Sequence, residues 1–216
     1  MKKLVVFDLD GTLADTISSL KYSGDLALGK FGFGPFSATQ YKYFVGDGAA
    51  NLVRRALVAG GDVNLDFFER ALAEYRRVFA ANCMYKVAPY AGVPELLGEL
   101  RSRGVKCAVL SNKPHGQTLA VVESLFDKGV FDIVLGQVEG VAIKPSPEGV
   151  FKILKELSVM AADALYIGDT ATDMKTGKAA GIFTLGALWG FRGRDELVAG
   201  GADALLSHPR ELMDYL

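Results

Sequence analysis

Leu4-Val5-Val6-Phe7-Asp8-Leu9-Asp10-Gly11-Thr12 is the stretch whose reading decides the architecture. A short apolar run with β-branched residues, stopped by Asp and Gly, predicts a buried strand that ends in a sharp turn. In an open α/β sheet, ligands bind at the carboxyl ends of the strands. Asp8 and Asp10 stand two residues apart and project to roughly the same side while the chain stays extended. Two carboxylates crowded there are costly unless a cation or a proton-transfer task keeps them. The stretch therefore points to chemistry as well as to a strand.

Further short apolar runs follow at Lys106 to Leu110, Ile133 to Leu135, Ala164 to Ile167 and Phe183 to Leu185. Segments with helical period lie between them. Val93, Leu96, Leu97 and Leu100 form one stripe, and Val150, Ile153, Leu154 and Leu157 form another. Such alternation predicts an α/β fold, a parallel sheet covered by helices on both faces. Residues 1–15 and 85–216 are assigned to this core. Residues 16–84 differ in texture: helical patterns, many aromatics and no convincing strand, hence an inserted helical domain. Its crossings near Asp15 and Val87-Ala88-Pro89 are expected to act as hinges, and Asp15 or Thr16 is expected to cap the first helix.

The bulk composition excludes several classes. The chain has 216 residues, 50% hydrophobic and 23% charged, with a net charge of -1. This is the profile of a globular protein with no general attraction to nucleic acid or anionic membrane, so any anion site must be local. Cys107 sits in an apolar run and reads as a buried reduced thiol rather than half of a disulfide with Cys83. The apolar run after Met1-Lys2-Lys3 is too short for a signal-peptide core, and no stretch is long enough to span a bilayer. A cytoplasmic location is the expectation.

Three more polar groups fall at the ends of predicted strands: Ser111-Asn112, then Lys144 ahead of a helix, then Gly168-Asp169 with Asp173 four residues after Asp169. Singly, these read as a helix cap, a surface charge and a turn residue; together at successive strand ends they read as one site. Asp8 can attack phosphorus as a carboxylate nucleophile. Asp10 can protonate the leaving alcohol and then deprotonate the hydrolytic water. Mg2+ takes oxygen ligands, and Asp8, Asp10 (through its backbone carbonyl), Asp169 and Asp173 are the candidate set. Ser111 and backbone N–H groups near Gly11, Thr12 and Asn112 can hold phosphate oxygens while Lys144 neutralises charge on the phosphoryl group.

In order and content these four segments resemble the four motifs of the haloacid dehalogenase superfamily. Residues 8 to 12 match its Asp-x-Asp-Gly-Thr pattern at every fixed position, Ser111 and Lys144 match the second and third motifs, and Gly168, Asp169 and Asp173 match the fourth. The resemblance implies a Rossmann-like core with a small α-helical cap that opens to admit substrate and closes over it. It also implies an aspartyl-phosphate intermediate and Mg2+ as cofactor. Dehalogenases and phosphonate-cleaving relatives lack an acid at the position of Asp10, so phosphatase chemistry is implied.

Within the superfamily the chain resembles the phosphoglycolate phosphatases. Phe44-Val45-Gly46-Asp47-Gly48 is similar to their cap segment, Ser111-Asn112-Lys113-Pro114 to their second motif, and Leu188-Trp189-Gly190-Phe191 to a later core segment. A substrate role for Gly46 and Gly48 stands beside an ordinary helix-start turn, and Trp189 reads as packing. The resemblance implies 2-phosphoglycolate as substrate. Alternatives are a phosphatase for pyrophosphate, a nucleotide or a sugar phosphate, or a phosphomutase similar to β-phosphoglucomutase, although Asp47-Gly48-Ala49-Ala50 replaces the Ser-Arg pair such mutases carry. The expected partner is a small phosphorylated metabolite, with no nucleic acid and no membrane, and the chain is expected to be a monomer or homodimer. His115 is read as a helix-surface residue and His208 as the cap of the last helix; Lys42 and Arg54 are read as anion contacts or solvated charges.

Overall fold

The computed structural model describes residues 2–216. In chain order the elements are β1 (Leu4–Phe7), β2 (Ala14–Asp15), α1 (Ile17–Gly29), α2 (Ala38–Phe44), α3 (Ala49–Ala59) and α4 (Phe68–Asn82). These are followed by β3 (Ala88–Pro89), α5 (Val93–Ser102), β4 (Lys106–Pro114), α6 (His115–Leu125), β5 (Ile133–Gln137) and α7 (Glu148–Leu157). Then come β6 (Ala164–Gly168), α8 (Ala171–Ala179), β7 (Phe183–Ala187), α9 (Arg194–Gly200) and β8 (Ala204–Leu206), with short 3-10 turns at Ala161–Asp163 and Pro209–Tyr215. The chain divides into two compact units, Met1–Asp15 with Ala88–Leu216, and Thr16–Val87. The second boundary thus lies three residues beyond the 84/85 position read from sequence.

The larger unit is built on a six-stranded sheet of order β5-β4-β1-β6-β7-β8, and all pairings are parallel. β1 is central, with Leu4 opposite Lys106 on one side and Ala164 on the other. The chain winds outward through β4 and β5, then crosses back to β6, so the order reverses at β1. That reversal leaves a crevice beyond the carboxyl ends of the central strands, where α/β sheets bind ligands. Every residue of β1 and β6 is buried, as continuous apolar runs in a doubly covered parallel sheet require. Val93, Leu96, Leu97 and Leu100 are buried on α5, and Val150, Ile153 and Leu154 on α7, which realises both helical stripes. Leu157 packs at the edge of the same core.

β4 runs on to Pro114 rather than ending at Leu110. Its register against β5 shifts between Leu110 and Pro114, where Pro114 pairs with Gln137. Ser111 and Asn112 therefore sit inside an irregular strand end instead of after it. β2 and β3 form a two-residue antiparallel ribbon, Ala14 opposite Pro89 and Asp15 opposite Ala88. His208 caps the last helical turn as expected, its Nδ1 accepting from the Arg210 N–H at 3.2 Å.

The smaller unit is helical throughout, and α1 packs on α4. Aromatic side chains fill it: Phe36, Tyr41 and Phe44 meet edge to face, and Tyr75 stacks on Phe79. The Tyr41 hydroxyl donates to Asp25 Oδ1 at 3.0 Å, and the Phe36 N–H reaches the same oxygen at 3.1 Å. Thr16 stands at the start of α1 but does not cap it. Its backbone (φ -109°, ψ 2°) is not extended, so its hydroxyl is not aimed at the first-turn N–H groups, and Oγ1 is buried without a partner. Arg54 bonds Asn51 Oδ1 at 2.6 Å and lies over the Phe68 ring, so its charge is used within the unit.

Candidate active site

Asp8 directly follows β1, and its N–H donates to the Ile167 carbonyl of β6 at 2.9 Å. Its side chain is 8% exposed. Lys144, 3% exposed, places Nζ 2.6 Å from Asp8 Oδ1 and 2.6 Å from Asp173 Oδ1. Asp8, Asp169 and Asp173 each offer an oxygen within 4.8 Å of the others, and all three are buried. One buried ammonium thus bonds two of three buried carboxylates. Burial, reinforced by Asp173, pushes the Asp8 carboxyl up to about 7 despite the lowering effect of Lys144. Burial, then repulsion from Asp8 and Asp173, raises Asp169 well above the usual carboxylate range. For Lys144, burial pulls the ammonium down, but Asp173 and Asp8 outweigh it and hold it well above its ordinary value. When ionised, the three carboxylates outnumber the single ammonium, and their all-oxygen donor set suits a hard divalent cation.

Asp169 is held from two sides. The Thr12 hydroxyl donates to Oδ1 at 3.2 Å, and the Phe191 N–H donates to Oδ2 at 2.7 Å. Gly11 (φ +93°) passes so close that a Cβ there would lie 2.2 Å from Asp169 Oδ2. Only glycine meets both demands. Asp173 is the third residue of α8 and forms a capping box with Thr170, whose hydroxyl donates to Oδ2 at 2.6 Å. Its other oxygen accepts from the Tyr166 hydroxyl at 3.3 Å as well as from Lys144.

The structure gives several sequence-assigned residues a partner that sequence reasoning missed. Gly11 N–H donates to the Ala14 carbonyl at 2.9 Å, and Thr12 N–H to the Leu9 carbonyl at 3.3 Å, so both donors are engaged inside the turn. The Asn112 carboxamide clamps Lys144, its Nδ2 donating to the Lys144 carbonyl at 3.0 Å and its Oδ1 accepting from the Lys144 N–H at 2.9 Å. Ser111 Oγ accepts from the Lys113 N–H at 3.2 Å. Lys113 Nζ lies 2.6 Å from Asp10 Oδ1. Trp189 is half-buried, and its indole N–H donates to the Thr12 carbonyl at 3.0 Å. His115 Nδ1 accepts from the Gly136 N–H at 3.2 Å, tying the start of α6 to β5. A largely apolar cavity of about 290 Å3 opens beside Ser111, Asn112 and Lys144 but does not include the acidic cluster.

Gly46 and Gly48 lie in the helical unit. Both have positive φ (+120° and +91°), and Gly48 is the residue from which α3 starts. Between them, Asp47 is paired with Arg55, 2.6 Å from Oδ1 to Nη1.

Residues 5–187 match the family of haloacid dehalogenase-like hydrolases. The chain belongs to that family. It is 33% identical over 224 residues to a phosphoglycolate phosphatase of Rhodospirillum rubrum, a match that covers 100% of this chain and 91% of the relative. A phosphoglycolate phosphatase of Aquifex aeolicus is 30% identical over 214 residues, covering 99% and 96%. A solved structure from Lactobacillus delbrueckii subsp. bulgaricus superposes with a TM-score of 0.93 at 32% identity, over 100% of this chain and 98% of that one. The chain is thus a phosphoglycolate phosphatase-like hydrolase, an enzyme of the phosphoric monoester class. Among the described residues, no helix is long and apolar enough to cross a membrane.

Proposed function

We propose that this enzyme is a Mg2+-dependent phosphatase that turns over a small phosphorylated metabolite through an aspartyl-phosphate on Asp8, with 2-phosphoglycolate as substrate. The observation that carries the chemistry is Lys144 Nζ, 2.6 Å from both Asp8 and Asp173, within a buried cluster completed by Asp169. The substrate follows from likeness to relatives named for it, at 30 to 33% identity over nearly the whole chain.

Asp8 and Asp169, with the Asp10 backbone carbonyl and Asp173, are the residues that would hold the cation, whose charge offsets repulsion between Asp8 and the incoming phosphate dianion. Asp8 attacks phosphorus with a carboxylate oxygen. As that bond forms, the ester P–O bond breaks, and its electron pair leaves on the alcohol oxygen, which takes the proton of the Asp10 carboxyl. Water then bonds phosphorus and gives its proton to Asp10. The P–O bond to Asp8 breaks, and the electron pair returns to its carboxylate. Ser111 and Lys144 hold phosphoryl oxygens during both steps. For Gly46 and Gly48 the substrate-binding assignment rests on backbone that glycine adopts most readily.

Phosphate release from 2-phosphoglycolate, pyrophosphate, β-glucose 1-phosphate, a nucleoside monophosphate and p-nitrophenyl phosphate, with and without Mg2+, tests the proposal. Metal-dependent turnover peaked on 2-phosphoglycolate, abolished by Asp8→Asn in a folded variant, is the expected result. A peak on another ester overturns the substrate, and activity in Asp8→Asn overturns the nucleophile.

A further inference from the structure

We infer that Lys113 is the positioning residue for Asp10, fixing the acid/base carboxylate against the scissile oxygen; the inference rests on the phosphatase reading above. Lys113 lies in the irregular end of β4, and Asp10 in the turn after the neighbouring β1. Their side chains meet with Nζ 2.6 Å from Oδ1, and the lysine side chain is 1% exposed against 20% for the aspartate. Among the described residues, no other donor is bonded to the Asp10 carboxylate. One oxygen is thus held and the other is left for chemistry.

The exposures argue that this pair serves position. A lysine is almost never fully buried unless paired, and withdrawing an ammonium from water is costly. A carboxylate that still reaches solvent needs no such partner to be hydrated. What it lacks without one is a fixed rotamer, and proton transfer demands a donor within hydrogen-bond reach of the reacting oxygen. The backbone of Lys113 is anchored accordingly: its N–H donates to Ser111 Oγ at 3.2 Å, and its carbonyl accepts from the Thr118 hydroxyl at 3.1 Å. Each acid of the first motif then has its own lysine, Lys144 on Asp8 and Lys113 on Asp10.

Leaving-group dependence tests this assignment. p-Nitrophenolate departs without a proton, whereas the alkoxide of an alkyl phosphate requires one, and both routes need Asp10 to activate water. Lys113→Met is expected to lower kcat on 2-phosphoglycolate by roughly 10- to 100-fold, with KM within about threefold. On p-nitrophenyl phosphate the first step survives and the second slows, so a burst of p-nitrophenolate stoichiometric with enzyme appears. Lys113→Arg restores most of the rate and removes the burst. In an Asp10→Asn background, Lys113→Met costs less than about twofold, because its target is gone. Should Lys113→Met not fold, Lys113→Gln carries the same comparison.

Equal losses on both esters with no burst, or a full further loss in Asp10→Asn, overturn the inference while Asp8→Asn remains inactive. Activity that survives Asp8→Asn overturns the phosphatase reading and this inference with it.

Discussion

Gly190→Ala is expected to damage stability and turnover together, and the structure sets the size of both effects. A Cβ at this position would lie 2.3 Å from Asp169 Cβ and 2.4 Å from the Gly11 carbonyl oxygen. Carbon atoms in contact prefer about 3.5–4.0 Å, so the shortfall is roughly 1.2 Å or more. Neither obstacle is the free end of a flexible side chain, so the loop after β7 must move. It would carry Phe191, whose N–H bonds Asp169 at 2.7 Å, and Trp189, whose indole bonds Thr12 at 3.0 Å. Overpacking of this kind costs about 1–3 kcal/mol, and weakening the charged Phe191 bond adds about 1. For a chain of this length, about 2–4 kcal/mol lowers Tm by roughly 5–15 °C. An ångström of displacement at the proposed metal ligand is expected to lower kcat by about 100-fold. Thermal unfolding followed by circular dichroism, together with phosphate release at several Mg2+ concentrations, measures both. Gly98→Ala is the control: that glycine sits exposed on α5 with nothing within 4 Å of an added Cβ, so the change is expected to stabilise by about 0.5–1 kcal/mol. A Gly190→Ala enzyme with unchanged Tm and a rate within twofold of wild type would refute the steric argument.

Two further perturbations have calculable outcomes. Lys144→Met strands the Asp8 and Asp173 carboxylates in the interior and is expected to cost about 3–5 kcal/mol near pH 8 in the absence of divalent cation. Asp8 already has a raised folded-state pKa, about 7 against 3.8, so its ionisation opposes folding as pH rises and protonation relieves the strain as pH falls. Urea unfolding of Lys144→Met is therefore expected to show a smaller penalty near pH 5.5; a penalty constant with pH contradicts this account. Cys107 is buried, and burial, then Asp132, pushes its thiol up to about 12 from 9.0. A raised folded-state value gives stability that is whole below the unfolded value and lost as pH climbs toward the folded one. By about pH 10.5 this amounts to roughly 2 kcal/mol, so wild type is expected to lose that much more than Cys107→Ala between pH 8 and 10.5 in urea titrations. Equal losses would place the alkaline sensitivity elsewhere.

The strands and the acidic motif were legible because their signals are local. Leu4 to Phe7 and Ala164 to Ile167 are continuous apolar runs, which a parallel sheet buried on both faces demands. Asp8 and Asp169 stand where such a run stops, Asp173 in the first turn of a helix, and Lys144 four residues before one. What escaped reading is non-local or too short for periodicity. A two-residue ribbon such as β2 and β3 has no alternation to detect, and β8 has three residues. The partner of Lys113 lies 103 residues away, beyond any local pattern. The one available signal was its place two residues after Ser111, on the same side of an extended chain. Thr16 shows the reverse failure: the residue type suits a cap, but the backbone angle there does not.

The Asn112 carboxamide has a consequence of its own. With one donor and one acceptor it meets the main chain of Lys144 as a neighbouring peptide unit would, at 3.0 and 2.9 Å. The lysine is therefore pinned to β4 directly and does not depend on the loop that leads to it. That loop, which carries the exposed Val138 and Val141, is free to lengthen, shorten or change sequence without moving the ammonium from Asp8. A single side chain thus separates the part of the enzyme that must stay constant from a part that can drift, and sequence variation among relatives is expected to concentrate between residues 138 and 143.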